Sequence, residues 1–212
     1  MQPEPTCPRC GGPLRAPGLW SSAWECATHG AVHPFHVLPH PGREPLEHVV
    51  ALARVPVWMR WPMPASWVVS GFGYAGDERT GARATLLSMN GAGPLGGPCE
   101  MVVVAEEPGV GLGARYAGLP GPDPGDGFDQ GAPHAKVETH GHPTALWALD
   151  GVDGRAAFVG EAMAQWLWVV VWPDAAGVLL YDGLALADLR ERPVCPDVDF
   201  APLSDRLRPP AV

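Results

Sequence analysis

The stretch Cys7-Pro8-Arg9-Cys10-Gly11 is followed by Cys26-Ala27-Thr28-His29-Gly30, with fifteen residues between Cys10 and Cys26. Each stretch carries two soft ligands separated by two residues, and two such pairs can close a tetrahedron around one Zn²⁺. A glycine follows each pair, and glycine adopts the left-handed backbone angles of a tight reversal without steric cost. The spacing therefore predicts a small zinc ribbon whose metal ligands are Cys7, Cys10, Cys26 and His29.

Two alternatives remain open for this segment. His33 and His36 are close enough in sequence to replace His29 as the fourth ligand, although only His29 keeps the two-residue spacing. The cysteines could instead be free or joined in disulfides. If the site forms, four protein ligands leave no position for water, so the expected cofactor is a structural Zn²⁺ and not a catalytic one.

Charge separates the N-terminal segment from the rest of the chain. The first 36 residues carry two acidic and two basic side chains, whereas the whole chain has a formal net charge of −9. Because nucleic acids are bound by cationic surfaces, a nucleic-acid partner is disfavoured. The expected partners are a protein or an anionic small molecule.

Composition favours a folded, cytoplasmic protein. Gly and Pro together make up 53 of the 212 residues, but nine tryptophans argue against disorder. We expect no signal peptide and no membrane span, because the longest apolar run, Trp166 to Trp172, is far below the ~20 residues that a span needs. Paired cysteines that stay reduced are typical of the cytosol, and single Cys99 and Cys195 are expected to be structural thiols.

The pattern of turns and apolar runs predicts an α+β fold, with a zinc ribbon followed by a mainly antiparallel sheet and few short helices. The predicted regions are the ribbon at 1–37, a linker at 38–44, the α+β domain at 45–190 and a proline-rich tail at 191–212. The strongest strand signal is Trp166 to Trp172, which is apolar on both faces and should be buried on both.

Shorter segments of the large domain are assigned in the same way. Apolar residues at helical spacing after Pro45 predict a helix, and Gly111–Tyr116 is expected to begin another. Val178–Tyr181 is predicted to be a strand that pairs with the Trp166 strand, and Leu184–Arg190 is predicted to be a short helix. Trp58, Trp61 and Trp67 could form a groove for a proline-rich peptide, but such aromatics more often cover a core.

A glycine-rich turn follows the apolar strand that ends at Glu106 and Glu107. Its residues Gly109, Gly111 and Gly113, with Arg115, could present backbone N–H groups and a cation to a phosphate or carboxylate. The two glutamates could add acid–base chemistry. The alternative is an ordinary strand-to-helix turn with solvated glutamates, because the fixed spacing of a known anion loop is missing.

Histidines supply one further candidate site. His134, His140 and His142 could hold a second metal together with Glu138. No catalytic triad, nucleophile elbow or metalloprotease helix is present in the sequence, so the catalytic residues, if any, are unknown.

Several segments together resemble a known family. They are Cys7-Pro-Arg-Cys-Gly-Gly, Val55-Pro-Val-Trp-Met, Gly73-Tyr-Ala-Gly-Asp77, Gly93-Pro-Leu-Gly-Gly97, Val104-Ala-Glu-Glu107, Gly109-Val-Gly-Leu-Gly-Ala-Arg-Tyr-Ala-Gly118 and Pro133-His-Ala-Lys-Val137. The chain resembles an uncharacterised family of actinobacterial proteins, a domain of unknown function with a ribbon-like head. This resemblance implies a cytoplasmic actinobacterial protein and supplies no activity.

Two functions from different classes follow from these features. The first is a non-catalytic binding or regulatory protein with a structural zinc. The second is an enzyme or a domain that binds an anionic metabolite or a nucleotide through the turn at 109–118.

Overall fold

A computed structural model describes residues 3–19, 21–149, 154–191 and 198–208. The strands are β1 Leu14–Arg15, β2 Trp24–Cys26, β3 Gly30–Val32, β4 Phe35–Val37, β5 Trp58–Arg60, β6 Val68–Asp77, β7 Gly81–Ala92, β8 Pro98–Glu106, β9 Ala135–Thr139, β10 His142–Leu149, β11 Ala156–Ala162, β12 Gln165–Trp172 and β13 Ala185–Asp188. The helices are α1 Arg43–Leu52, α2 Leu112–Ala117 and a 3₁₀ helix at Asp174–Tyr181.

The protein is mostly β, which corrects the predicted α+β class. Hairpin connections join most neighbouring strands directly, so few segments of the chain are left to form helices. The described helices are short and few, and they do not form a layer of their own. The prediction of few helices and a mainly antiparallel sheet is confirmed.

The strands form two sheets. Strands β1, β2 and β3 make a small antiparallel sheet around the Cys/His cluster. The other ten form one sheet in the order β4-β6-β7-β8-β12-β11-β10-β9-β13-β5. Every neighbouring pair in this sheet is antiparallel except β13 and β9, which are parallel.

Strand β12 lies near the centre of the large sheet and is buried on both faces, as predicted. Leu167, Val169 and Val171 point into one hydrophobic core, and Trp168 and Val170 point into another on the opposite face. Successive side chains of a strand alternate between the two faces of the sheet. Since each face of β12 is covered by a core, all five side chains are buried.

Each face of the sheet is covered by different elements. The first core contains residues of α1, the 3₁₀ helix and β5, since the sheet curves until β5 lies against β7 and β8. There the hydroxyl of Thr85 donates to the carbonyl oxygen of Pro56 at 2.5 Å. The second core contains Leu112, Ala114 and Ala117 of α2. Helix α2 therefore packs on the face opposite β5.

Two predicted elements are wrong. Val178–Tyr181 belongs to the 3₁₀ helix, and Leu184–Arg190 contains strand β13 instead of a helix. Burial along β13 alternates, with Leu186 and Asp188 buried between half-buried neighbours, because this segment lies between β9 and β5. Sheet pairing outweighs the helix propensity of leucine and alanine here.

The tryptophan groove is absent from the described structure. Trp58 is 2% exposed and Trp67 is 4% exposed, and both lie in the first core, against which Trp61 packs as a partly buried neighbour. The alternative, that these residues cover the core, is confirmed.

Predictions for the tail fall partly outside the described residues, which include neither Cys195 nor the rest of 192–197. The segment 198–208 runs beside β6, where the amide of Val69 donates to Asp199 and the amide of Ala201 donates to Val69.

Candidate metal centre

The ligand atoms of Cys7, Cys10, Cys26 and His29 all lie within 4.8 Å of one another. The Sγ of Cys10 is 3.7 Å from the Sγ of Cys26, and the Nδ1 of His29 is 3.5 Å from the Sγ of Cys7 and 3.6 Å from that of Cys26. The four predicted ligands are therefore brought together, with the imidazole presenting its Nδ1 atom.

Two tight turns place these side chains. In the first, the amide of Gly11 donates to the carbonyl oxygen of Cys7 at 2.8 Å, and Gly11 has φ 73°. In the second, Cys26 ends β2, Gly30 begins β3, and Gly30 has φ 68°. Both glycines have the left-handed backbone that was predicted, and each turn returns the chain so that the second ligand faces the first.

The spacing of the ligand atoms fits a tetrahedral ion. Zn–S bonds of about 2.3 Å and Zn–N bonds of about 2.0–2.1 Å, at tetrahedral angles, place two sulfurs about 3.8 Å apart and a sulfur about 3.6 Å from a nitrogen. The three separations above match these values. A disulfide needs sulfurs about 2.05 Å apart, and the three cysteines are free.

The surroundings of the sulfurs differ. Burial raises the pKa of the Cys7 thiol to about 12, although the backbone amides of Cys10 and Arg9 donate to the sulfur and oppose this effect. Burial also acts to raise the pKa of Cys26, but the amides of Thr28 and His29, together with the side chains of His29 and Cys7, outweigh it, and the pKa falls to about 6. Amides directed at both sulfurs favour thiolates, the form that binds a metal.

His33 and His36 do not join the cluster. Among the described residues, the one group of Cys, His, Asp and Glu side chains arranged to hold a metal contains His29 as its only histidine. The ring of His36 stacks on Tyr74 at 4.9 Å between centroids. Within the described parts of the chain, His134, His140 and His142 do not form a second such group, and the Nδ1 of His140 lies 3.1 Å from the carboxylate of Glu191.

The N-terminal segment, residues 3–34, is attached to the glycine-rich turn through two arginines. The Nη2 of Arg9 donates to the carbonyl oxygen of Gly109 at 2.5 Å, and its Nε donates to that of Val110 at 3.3 Å. The Nη1 of Arg115 donates to the carbonyl oxygen of Cys7 at 3.4 Å. Arg9 lies between two of the metal ligands in sequence, so the metal cluster and the turn form one continuous unit.

Glycines allow this close approach. A Cβ atom on Gly11 would lie 2.6 Å from the Nη2 of Arg115, and one on Gly111 would lie 2.8 Å from the Cγ of Arg9. Any larger residue would have to push an arginine away from its backbone partner.

Three amides of the glycine-rich turn are occupied by side chains of the protein itself. The carboxylate of Glu106 accepts from the amide of Leu112 at 2.7 Å and from that of Gly113 at 3.1 Å. The amide of Gly109 donates to Asp123 at 2.7 Å. Glu106 is fully buried, and burial raises its pKa to about 8, with the two amides only partly opposing the shift.

Glu107 points the other way. Its carboxylate accepts two hydrogen bonds from the Nη1 of Arg83, at 2.7 and 3.0 Å. Of the residues named for an anion site, Glu106 therefore faces the buried side of the turn, and Glu107 and Gly109 face a cleft beside it. Whether the turn binds an external anion stays a prediction.

That cleft was missed by sequence reasoning. It has a volume of about 380 Å³ and lies between the N-terminal segment and the β6–β7 turn, with Trp24, His33, Asp77 and Arg79 among its walls. These residues come from distant parts of the chain and form no motif, so no sequence signal could have grouped them.

Comparison with known proteins gives one match. The model of a family described as a family of unknown function, DUF6758, matches residues 1–207. No curated protein and no solved structure matches the chain. Within the described residues, no helix has the length and apolar character needed to cross a bilayer.

Proposed function

Since the chain belongs to the DUF6758 family, whose function is unknown, we propose a role from geometry: Cys7, Cys10, Cys26 and His29 bind one structural Zn²⁺. The observation that carries this proposal is that all four ligand atoms lie within 4.8 Å of one another, and that three of their separations, at 3.5–3.7 Å, match the edges of a zinc-sized tetrahedron.

The ligand set favours zinc over other metals. Three thiolates and an imidazole suit a soft or borderline ion in tetrahedral geometry, whereas Mg²⁺ and Ca²⁺ prefer oxygen ligands. Four protein ligands also leave no position for a substrate, so the metal holds structure and the fold around it is a zinc ribbon.

The zinc also organises contacts beyond the ribbon. No described residue before Phe35 belongs to either hydrophobic core or packs against one as a partly buried neighbour. Metal ligation is therefore the main restraint on residues 3–34, and through Arg9 it fixes the glycine-rich turn. We infer a cytoplasmic, non-catalytic binding or regulatory protein whose zinc-held segment shapes a surface for its partner.

Metal analysis of the purified protein tests this proposal. We expect about one zinc per chain in the wild type and a loss of most of it in Cys26→Ser, which removes one of the four ligands. Cys99→Ser is the matched control, because Cys99 is also a buried free cysteine but lies outside the cluster. Wild-type protein without zinc, or equal zinc in both variants, would refute the proposal.

A second candidate is a domain that binds an anionic small molecule, with or without catalysis. The cleft beside Gly109 and Glu107 favours it, because ligand pockets typically begin at about 300 Å³. This candidate can share one molecule with the first, since the zinc-held segment forms a wall of the cleft.

A further inference from the structure

A cleft of about 380 Å³ lies between the N-terminal segment and the large sheet. One wall consists of β3 and the residues that follow it, including His33. The turn between β6 and β7 and the start of the glycine-rich turn also line the cleft. Three separate parts of the fold thus converge on one space of about 380 Å³.

The charges around the cleft do not cancel. The carboxylate of Glu107 is paired with Arg83. Asp77 is the other acidic residue in the walls, and its Oδ1 accepts from the amides of Arg79 and Thr80. Two guanidinium groups, those of Arg9 and Arg79, line the same cleft. The positive charge of Arg9 is not neutralised by a carboxylate, because its hydrogen bonds go to carbonyl oxygens. The cleft is therefore locally cationic on a chain whose formal net charge is −9.

Arg79 is the guanidinium most available to a ligand. It is exposed, and no hydrogen bond or ion pair ties its side chain to another described residue. In contrast, the guanidinium of Arg9 is held against the glycine-rich turn. An incoming anion could pair with Arg79 without breaking a hydrogen bond or an ion pair, and it would share the guanidinium with Asp77, whose pKa the charge of Arg79 helps to lower.

An aromatic side chain also lines the same space. Trp24 is half-buried, and it borders both this cleft and a shallower groove of about 560 Å³ that also reaches Arg79. Trp24 and Arg79 thus stand where the two depressions meet. A tryptophan ring can stack on a flat ring, while a guanidinium favours phosphate or carboxylate.

We propose that this cleft binds a small molecule that carries a phosphate or carboxylate group next to a flat ring, with the anion on Arg79 and the ring against Trp24. The proposal rests on the proposed function, because the zinc-held segment supplies Trp24 and one wall. It gives the cleft a ligand class, and it assigns binding to two residues outside the glycine-rich turn.

Calorimetric titration of the full chain, on samples whose zinc content is measured, tests the proposal. Adenosine monophosphate and benzoate are the ring-bearing anions, adenosine is the uncharged counterpart, and inorganic phosphate is the anion without a ring. We expect saturable binding of at least one ring-bearing anion. Adenosine and phosphate should each bind at least tenfold more weakly than adenosine monophosphate if the phosphate ester is preferred.

Variants locate the binding. Arg79→Ala should weaken binding of the ring-bearing anion at least tenfold. Trp24→Leu should also weaken this binding, although it keeps an apolar side chain at this position of β2. Arg43→Ala is the control, because Arg43 is also an exposed arginine but lies on α1, away from the cleft. Thermal melts of each variant confirm that it is folded.

The outcomes separate the two proposals. A protein with one zinc per chain that binds neither ring-bearing anion, or whose Arg79→Ala variant binds like the wild type, overturns the ligand proposal and leaves the zinc proposal standing. A protein without zinc refutes the zinc site, and the ligand proposal that depends on it fails as well.

Discussion

Glu106 is an acidic side chain buried without a cation beside it. Its two oxygens accept the amides of Leu112 and Gly113, which are the N–H groups at the start of α2. The sequence suggested that such amides could receive an external anion, but an internal carboxyl group occupies them. The sequence could not predict that Glu106 takes the place of an external anion. The sequence of strand β8 alone does not show on which face of the sheet its last side chain lies.

The buried carboxyl predicts a pH dependence of stability. Its pKa rises from 4.5 to about 8 on folding, chiefly because burial disfavours the charged form. Between these values the unfolded chain releases the proton while the folded chain keeps it, so stability falls as pH rises, by at most about 1.4 kcal/mol per pH unit. In Glu106→Gln this fall should be absent, and thermal melts from pH 5 to pH 8 would measure it.

Comparison between variants isolates the effect. Burial lowers the pKa of His33 and His36, which titrate in the same range with the opposite sign, but they act equally in wild type and variant and cancel in the difference. Glu107 is left in place in this comparison, because its charge raises the pKa of His33. An unchanged slope in Glu106→Gln would contradict the prediction.

At the level of elements, local patterns predict what a single strand or helix decides by itself. Strand β12 was predicted because both of its faces are apolar, and α1 because its apolar residues recur at helical spacing. The 3₁₀ helix and β13 were assigned the wrong types because their conformations depend on neighbours. Strand β13 pairs with β9 and β5, which are about 50 and 130 residues away in the chain.

Helix α2 shows how closely elements approach, and it gives a second prediction. A Cβ atom on Gly113 would lie 2.1 Å from the Cδ1 of the buried Trp168 on β12. Gly→Ala within a helix usually stabilises it by about 1 kcal/mol. Here we expect Gly113→Ala to destabilise the protein by about 2 kcal/mol, because overpacking forces α2 away from the sheet. Chemical denaturation would measure the change in free energy of unfolding.

Gly18→Ala provides the comparison for that measurement. No atom lies within 4 Å of the position that its Cβ would take, and its backbone is not left-handed. We expect a change near zero there. If Gly113→Ala were as stable as the wild type or more so, the contact between α2 and β12 would not be as tight as the structure gives it.

In the whole molecule, the Cys/His cluster lies in the N-terminal segment, and the two hydrophobic cores lie on the large sheet. The metal ligands were predictable because they are local in sequence, whereas the attachment of Arg9 to Gly109 joins residues 100 positions apart and has no sequence signal. The large sheet carries both hydrophobic cores, and the described part of residues 3–34 contributes to neither. We therefore expect the N-terminal segment to depend on the proposed zinc and the sheet to be independent of it.

This difference predicts local unfolding when zinc is removed. After treatment with a chelator, amide hydrogen exchange should increase across residues 3–34 and at the glycine-rich turn, which loses its contact with Arg9. The central strands β7, β8 and β12 should remain protected, because their side chains are buried in cores that do not include the metal site. Cys26→Ser should already show the fast exchange and should not respond further to the chelator. Simultaneous loss of protection in every strand would contradict this, since it would mean that the metal stabilises the sheet as strongly as the segment that contains it.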